Sequence, residues 1–543
     1  MFHQVFNFVL LIMLSVFITS VHAEEDAAAE NVSTEETDAL EKPVFDIWEI
    51  RVQGNTVLSN KQIESAIYGF LGPEKTFDDV QLAQAALGEV YRNEGYAFAS
   101  VSIPQQSVDK GIVKLAVVEG KLGRVRITGN RYFSRKEIRK NIPSMQEGTV
   151  PRIDDIQRDL ALLNRSSRDR SITPLARPGK EQDTVDLELK VKDALPFHYG
   201  LDLNGRNSPE TSRTRFGANF SYENLWQKNH AISLFYQTTP EDRDEVEVKS
   251  LFYSLPLWMD DSNLSMYYIR SDSEVATVGD VNVLGDGRIK GIKATFPFFG
   301  QQDFFHQFSI GLESKDFDQS SILSDTDTDN SPIDYTLLNM DYSGRVNFDR
   351  SNLFFGAGVR TGLRGFGNTI NEFDNRRAGA KNNFSYFVGN LGFNYLLNND
   401  YQLRTRANFQ YSGDPLIGNE QFSAGGQFSV RGYLTAQELA DEGVVTSVEV
   451  VTPDLSERLA KDLVSGLRFV GFLDYAKLHN RNALTSEVAN TTLAGTGVGI
   501  RLGIADHYVI DLDFARALSD SAEGEDSVDE GDWRTHFGIT AQY

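Results

Sequence analysis

The chain has no cysteine in 543 residues, which excludes a disulfide framework, a thiolate nucleophile and a zinc–thiolate site. Positive charge is also short: 53 Lys and Arg stand against 77 Asp and Glu, a net charge of −24 that argues against a nucleic-acid partner. The eight histidines are scattered without metal-ligand spacing, and no Gly-x-Ser-x-Gly elbow occurs. Asp325–Asn330 resembles a calcium loop only superficially, because the sixth position is Asn330 and the twelfth Thr336 where Gly and Glu are required. Gly495-Thr496-Gly497-Val498-Gly499 lies in an alternating strand with no helix after it, so it is not a phosphate turn. These exclusions leave no catalytic residue, cofactor site or metal site to propose. Long apolar runs are equally scarce. Phe6–Val21 is too short to span a bilayer comfortably, and no second run follows it. A chain without such runs can cross a membrane only as a closed barrel, which satisfies every backbone group internally.

What is present suits that solution. Glycine (44), phenylalanine (36) and tyrosine (20) are the residues that barrels use for their interiors and aromatic girdles. At the end of the chain Trp533, Phe537, Ile539, Ala541 and Tyr543 point one way, and Arg534, His536, Gly538, Thr540 and Gln542 the other. Such alternation is the mark of a strand between lipid and water, finished here by an aromatic residue carrying the terminal carboxylate. At the start, Val21-His22-Ala23 follows the apolar run as a small-x-small cleavage site, so residues 1–23 read as a secretory signal peptide. The n-region offers only His3 where Lys or Arg is usual, and a retained anchor is the alternative.

Charge is distributed unevenly. Residues 24–42 carry one Lys and eight Asp or Glu with few large apolar side chains, and residues 24–43 read as a disordered acidic leader. Residues 44–120 hold six basic and ten acidic residues, whereas residues 121–193 hold seventeen and eleven. That local basic surplus is read as a solvated face in preference to a docking surface for an acidic client.

A repeat spans both segments. Ile50-Arg51-Val52-Gln53-Gly54-Asn55 followed by Ser59 recurs as Val125-Arg126-Ile127-Thr128-Gly129-Asn130 followed by Ser134, offset by 75 residues. Each copy predicts a strand, a Gly-Asn turn and a serine-capped helix. A second helix is predicted near 78–93, with Val80, Leu82, Ala83, Ala86, Leu87, Val90 and Tyr91 as its apolar stripe, then strands at 98–104 and 112–119. The second copy predicts a helix near 154–164 and strands near 171–176 and 184–191. Two β-α-α-β-β modules result, over residues 44–120 and 121–195.

From Phe197 onward the helical period is gone. Phe197, Tyr199, Leu201 and Leu203 alternate with polar residues, and further strands are read near 230–238, 246–255, 263–271, 465–478, 494–503 and 507–517. Residues 196–543 thus predict an all-β transmembrane barrel of about sixteen antiparallel strands, an even number as single-chain bacterial barrels require.

The modules and barrel resemble the two-partner secretion transporters of the haemolysin/filamentous-haemagglutinin secretion-activation type, in which polypeptide-transport-associated (POTRA) domains precede a barrel. The resemblance in the first module runs through Gly54, Asn55, Gly95, Tyr96, Pro104, Gln106, Glu119 and Gly120. In the barrel, Val430-Arg431-Gly432-Tyr433 matches the family's VRGY loop. Phe472-Leu473-Asp474-Tyr475-Ala476 matches its FxDxG strand except that Ala476 replaces glycine. The resemblance implies that this loop folds back into the barrel and that Arg431 pairs with Asp474. Alternation around Asp474 agrees in one respect: Leu467, Phe469, Leu473 and Tyr475 form an apolar face, leaving Arg468, Phe472, Asp474 and Ala476 toward the lumen.

The function so implied is export of a large β-helical partner protein across the bacterial outer membrane, with the modules in the periplasm and no enzymatic step. Lipid, and the barrel-assembly machinery during insertion, are the further partners implied. The competing reading is an outer-membrane protein assembly or insertion factor of the same superfamily, whose members usually carry three or five modules. Some relatives plug the lumen with an N-terminal helix; residues 24–43 are too few for such a helix and a return linker at about 1.5 Å per residue across about 30 Å.

Overall fold

The computed structural model describes residues 43–209, 211–243, 245–258, 261–272, 275–278, 281–284, 286–299, 303–319, 332–456, 463–483, 488–524 and 526–543. The expectations for the signal peptide, the acidic leader and the run Asp325–Asn330 fall outside these residues. Two compact units form, one of residues up to 90 with 101–117, the other of 91–100 with 118–543. Among the described residues no helix is long and apolar enough to cross a membrane.

The first module contains β1 (Glu49–Gln53), α1 (Asn60–Ile67), α2 (Phe77–Asn93), β2 (Ala99–Ser102) and β3 (Ile112–Glu119). Its sheet runs β1-β3-β2, with β1 and β3 parallel. The second module repeats the order with β4 (Lys121–Thr128), α3 (Arg135–Lys140), α4 (Ile153–Arg165), β5 (Arg170–Pro178) and β6 (Thr184–Asp193), in a sheet β4-β6-β5. Local chemistry explains the repeat. Gly54 and Gly129 have φ of +89° and +83°, and a Cβ on either would lie 2.2 Å from Val117 O or 2.4 Å from Val191 O. Only glycine fits a left-handed turn pressed that closely on a strand. Asn55 and Asn130 then each donate from Nδ2 to a carbonyl three residues on, Leu58 and Phe133, at 2.9 Å. Ser59 forms a reciprocal capping box with Gln62, and the Ser134 hydroxyl accepts from Glu137 N at 3.2 Å.

One sequence expectation fails in α2. Val80, Ala83, Leu87 and Tyr91 are buried, but Leu82 is 57% exposed. The buried stripe follows the i, i+3, i+4 spacing strictly, and Leu82 lies off it. In the second module Val125, Ile127, Ile138, Leu160, Leu163 and Leu189 join one core.

Sixteen antiparallel strands then close a barrel: β7 (Phe197–Asn204), β8 (Arg215–Leu225), β9 (His230–Thr238), β10 (Glu247–Pro256), β11 (Asn263–Asp272), β12 (Asp286–Phe299), β13 (Phe304–Gln319), β14 (Ile333–Asn347), β15 (Ser351–Gly367), β16 (Ser385–Leu396), β17 (Gln402–Ser412), β18 (Glu442–Val451), β19 (Val464–His479), β20 (Asn490–Ile504), β21 (Tyr508–Ala517) and β22 (Trp533–Gln542). The final strand pairs with the first from Gly538↔Asn204 to Gln542↔Gly200, and Tyr543 stacks on Tyr199 at 5.5 Å. Phe197, Tyr199, Leu201, Leu234, Tyr268, Phe387, Phe469, Leu473 and Ile539 stand exposed on the outer surface, where lipid is their solvent. Within the second unit, the Gln227 side chain in the β8–β9 turn accepts from Ser134 N at 2.8 Å and donates to Tyr132 O at 2.9 Å.

The lumen is not uniformly polar. Val248, Ile269, Ile289, Phe317, Tyr335 and Tyr386 point inward from their strands and pack with Phe373 of α5 (Ile370–Arg376), with Phe384, and with Leu416 and Ile417. Two loops on the same end of the barrel, β15–β16 and β17–β18, therefore bring a small hydrophobic core inside it.

Candidate functional site

Residues 413–441, between β17 and β18, fold into the lumen. Ala424, Val430, Tyr433 and Ala440 are buried, and a short strand pair, Phe422–Ala424 with Glu438–Ala440, stiffens the loop. Gly425, Gly426 and Gly432 adopt φ of +113°, +97° and +105°, which turn the chain at its tip.

The tip brings Arg431 to Asp474. Arg431 Nε donates to Asp474 Oδ2 at 2.6 Å, Nη2 to Oδ1 at 2.8 Å, and the Arg431 backbone N to Oδ2 at 3.1 Å. Such a two-pronged contact is the geometry guanidinium and carboxylate make best. The two side chains are 1% and 0% exposed, so neither charge is relieved by water. Arg431 has further partners: Nη1 lies 2.8 Å from Glu449 Oε1, Nη2 donates to Ser447 Oγ at 3.2 Å, and the guanidinium carbon stands 3.5 Å from the centroid of the Phe472 ring. Asp513, fully buried, is 3.8 Å from Arg431 Nη1 and 2.7 Å from Arg501 Nη2.

Barrel register explains how these groups meet. Ser447, Asp474 and Gly495 are direct cross-strand partners on β18, β19 and β20. A Cβ on Gly495 would lie 1.9 Å from the Arg431 carbonyl oxygen, so the loop occupies the space that a side chain would fill. On the next inward row Glu449, Phe472 and Gly497 are partners, and a Cβ on Gly497 would lie 2.7 Å from the Phe472 ring. The glycine string that fails as a phosphate turn thus lines the seat of the loop. Its spacing at every second residue was the signal available in the sequence.

The other motif residues complete the seat. Gly432 N donates to His536 Nε2 at 3.1 Å. The Tyr433 hydroxyl lies 2.8 Å from Ala494 O and 2.7 Å from Ser519 O, one of which takes its proton. Val430 packs with Ala424, Ala476 and Leu493, and fully buried Ala476 sits where the family has glycine. Of the C-terminal residues, Phe537 lies beside Gly205, whose N donates to Phe537 O at 3.1 Å; Ile539 and Tyr543 face outward, and Ala541 pairs with Tyr508 and Leu201.

A second attachment was not legible. Glu420, at the root of the loop, is 2.6 Å from Lys315 Nζ and accepts from the hydroxyls of Tyr335 and Tyr386 at 2.5 and 2.6 Å. These partners belong to β13, β14 and β16, a different arc of the wall. Asp441, where the loop rejoins β18, is buried against Arg377 and accepts from Leu416 N and Arg481 N at 2.8 and 2.7 Å.

The motif residues of the first module serve its scaffold instead. Gly95 (φ +86°) ends α2, with Tyr96 N donating to Tyr91 O at 2.8 Å. The Tyr91 hydroxyl donates to Glu119 at 3.1 Å, and burial, then the Glu119 carboxylate, push the Tyr91 phenol above its ordinary range. Gln106 bonds both Lys114 O (2.8 Å) and Lys114 N (2.7 Å) through its amide, just after partly buried Pro104, while Gly120 N donates to Phe98 O. Among the described residues one group of possible metal ligands gathers, Asp169, His198 and Glu223. Asp169 and His198 already bond each other at 3.0 Å, and Glu223 pairs with Arg168 at 3.3 Å.

Known proteins match along most of the chain. The family model of haemolysin secretion/activation protein ShlB/FhaC/HecB matches residues 183–502, and that of the ShlB-type POTRA domain matches residues 45–120. The heme/hemopexin transporter protein HuxB of Haemophilus influenzae is 22% identical over 492 residues, which cover 87% of this chain and 83% of that protein. The outer membrane transporter CdiB of Escherichia coli is 23% identical over 416 residues, covering 74% and 68%. Among solved structures, CdiB from Escherichia coli superposes with a TM-score of 0.66 at 17% identity, covering 94% of this chain and 93% of that one. BamA from Haemophilus ducreyi lacking POTRA domains 1–3 gives 0.55 at 13% identity, over 92% and 100%, a likeness of fold alone. The chain belongs to the ShlB/FhaC/HecB haemolysin secretion/activation family, the outer-membrane transporters of two-partner secretion.

Proposed function

We propose that this barrel exports one large β-helical partner, which the two modules, residues 44–120 and 121–195, capture in the periplasm. Capture proceeds by strand addition: an extended segment joins an exposed sheet edge through main-chain bonds that tolerate varied sequence. The observation that carries the reading is the loop seated inside the barrel through Arg431 on Asp474 and through Glu420 on Lys315, a removable obstruction in the path a client must take. The partner's folding outside the cell supplies the drive, since burial of its apolar surface makes return unfavourable. Insertion of the transporter itself calls on outer-membrane lipid and the barrel-assembly machinery.

Deleting residues 44–193 tests the division of labour. The remaining barrel should reach the membrane and fail to export, as judged by fractionation and by partner recovered from the medium. Normal export by the truncated protein would overturn the capture role.

A further inference from the structure

The outer edge of the second module's sheet is occupied by its own side chains. Strand β4 is an edge strand, so its outward main-chain groups face away from β6. Leu122 spends its pair on a turn, donating to Thr149 O at 2.8 Å and accepting from Gly148 N at 2.6 Å. Val125 spends its pair on two side chains. Its N–H donates to Glu147 Oε1 at 3.1 Å, and its carbonyl accepts from Arg139 Nη2 at 2.5 Å. Glu147 and Arg139 lie 3.5 Å apart as an ion pair. A carboxylate oxygen and a guanidinium N–H therefore stand where the C=O and N–H of an added strand would stand.

That arrangement is built to open. The Arg139 and Glu147 side chains are 56% and 48% exposed, and ion pairs that exposed add little net stability. Beside the edge lies a groove of about 370 Å³ lined by Arg124, Arg126, Arg135 and Arg139, with Glu147 the one acid. Arg124 and Arg126 alternate with buried Val125 and Ile127, so they stand on the solvent face of the sheet, whereas Arg135 and Arg139 rise from α3. A strand added here would meet arginines on both of its faces. Its matching chemistry is acidic at successive positions, since opposite charges across neighbouring strands are favourable.

We infer that β4 is the edge to which an extended acidic segment of the exported partner adds, and that the Arg139–Glu147 pair is a latch covering that edge until the segment displaces it. This rests on the capture reading above and reverses the plain view of the module's basic surplus as a solvated face. The latch protects an otherwise open edge from indiscriminate pairing, and its guanidinium becomes a ligand for the incoming acid once released.

The test uses the full chain in detergent and a fluorescent extended peptide of Thr-Glu-Glu repeats, which presents glutamates on both faces of a strand, read by anisotropy. The glutamate peptide should bind at least about tenfold more tightly than its lysine counterpart, and proline substitution, which removes main-chain donors, should weaken it by a similar factor. Glu147→Ala should tighten binding several-fold by baring the Val125 N–H, and Arg124→Glu with Arg126→Glu should abolish it. Equal affinity for acidic and basic peptides, or no gain in Glu147→Ala, overturns the inference. The charge-reversed variant separates the two proposals: peptide binding lost with export of the native partner intact removes β4 as the docking edge and leaves export standing. Export that survives deletion of residues 44–193 removes the capture reading itself.

Discussion

Gly495 stands directly across from Asp474 in the barrel wall, and the side chain it lacks is the space in which the Arg431 carbonyl lies. An ion pair and an absence are thus two halves of one seat. Replacing Gly495 with valine should unseat the loop while leaving both charges in place. Overpacking of this kind costs about 1–3 kcal/mol. Secreted partner per barrel in the membrane should fall in Gly495→Val and less in Gly495→Ala; unchanged export in the valine variant would show that the loop tolerates a displaced tip.

Arg431 and Asp474 should be coupled, though unequally. Breaking a buried pair by removing one partner costs about 3–5 kcal/mol, because the other charge is left buried. Asp474→Ala leaves Arg431 its contact with Glu449, whereas Arg431→Ala takes both guanidinium bonds from buried Asp474 and leaves Glu449 only Arg406, 3.6 Å away. Arg431→Ala should be the more damaging, the double mutant less damaged than the two effects combined, and Arg431→Lys only partly active. Strictly additive defects in the export assay would mean that the two residues act independently.

The root of the loop offers a different readout. Glu420→Ala leaves Lys315 without its nearest carboxylate and two tyrosine hydroxyls without an acceptor. In planar bilayers this variant should open more often than the parent, while Lys315→Met combined with Glu420→Leu, which removes both charges, should open less often than Glu420→Ala. Identical opening frequencies in all three would place the control of the lumen elsewhere.

The modules and strands were legible because their signals are local: period-2 alternation, a Gly-Asn turn held by its own asparagine, a serine three residues ahead of a backbone donor. Leu82 was misplaced because a helical stripe drawn too wide admits residues on its shoulder. The Arg431–Asp474 contact joins residues 43 apart, and only the resemblance of two motifs pointed to it. Nothing local marks Asp513 or Glu420 as buried, or Glu449 as partly so. On a barrel strand or in a loop an acidic residue reads as facing water, and its shelter comes from a segment that folds back from elsewhere in the chain. The glycine and polar content of residues 413–441 likewise reads as an exposed connection, although the fold makes it interior.

The two attachments of that loop have a consequence for the cell. Barrels of sixteen to eighteen strands that hold no inserted segment are aqueous channels. With Glu420 fixed to one arc of the wall and Arg431 to another, losing a single contact leaves the loop tethered across the bore. The permeability barrier of a membrane crowded with this transporter therefore depends on how rarely both tethers are free at once, and a cell carrying a doubly released variant should admit noxious solutes that ordinary porins exclude.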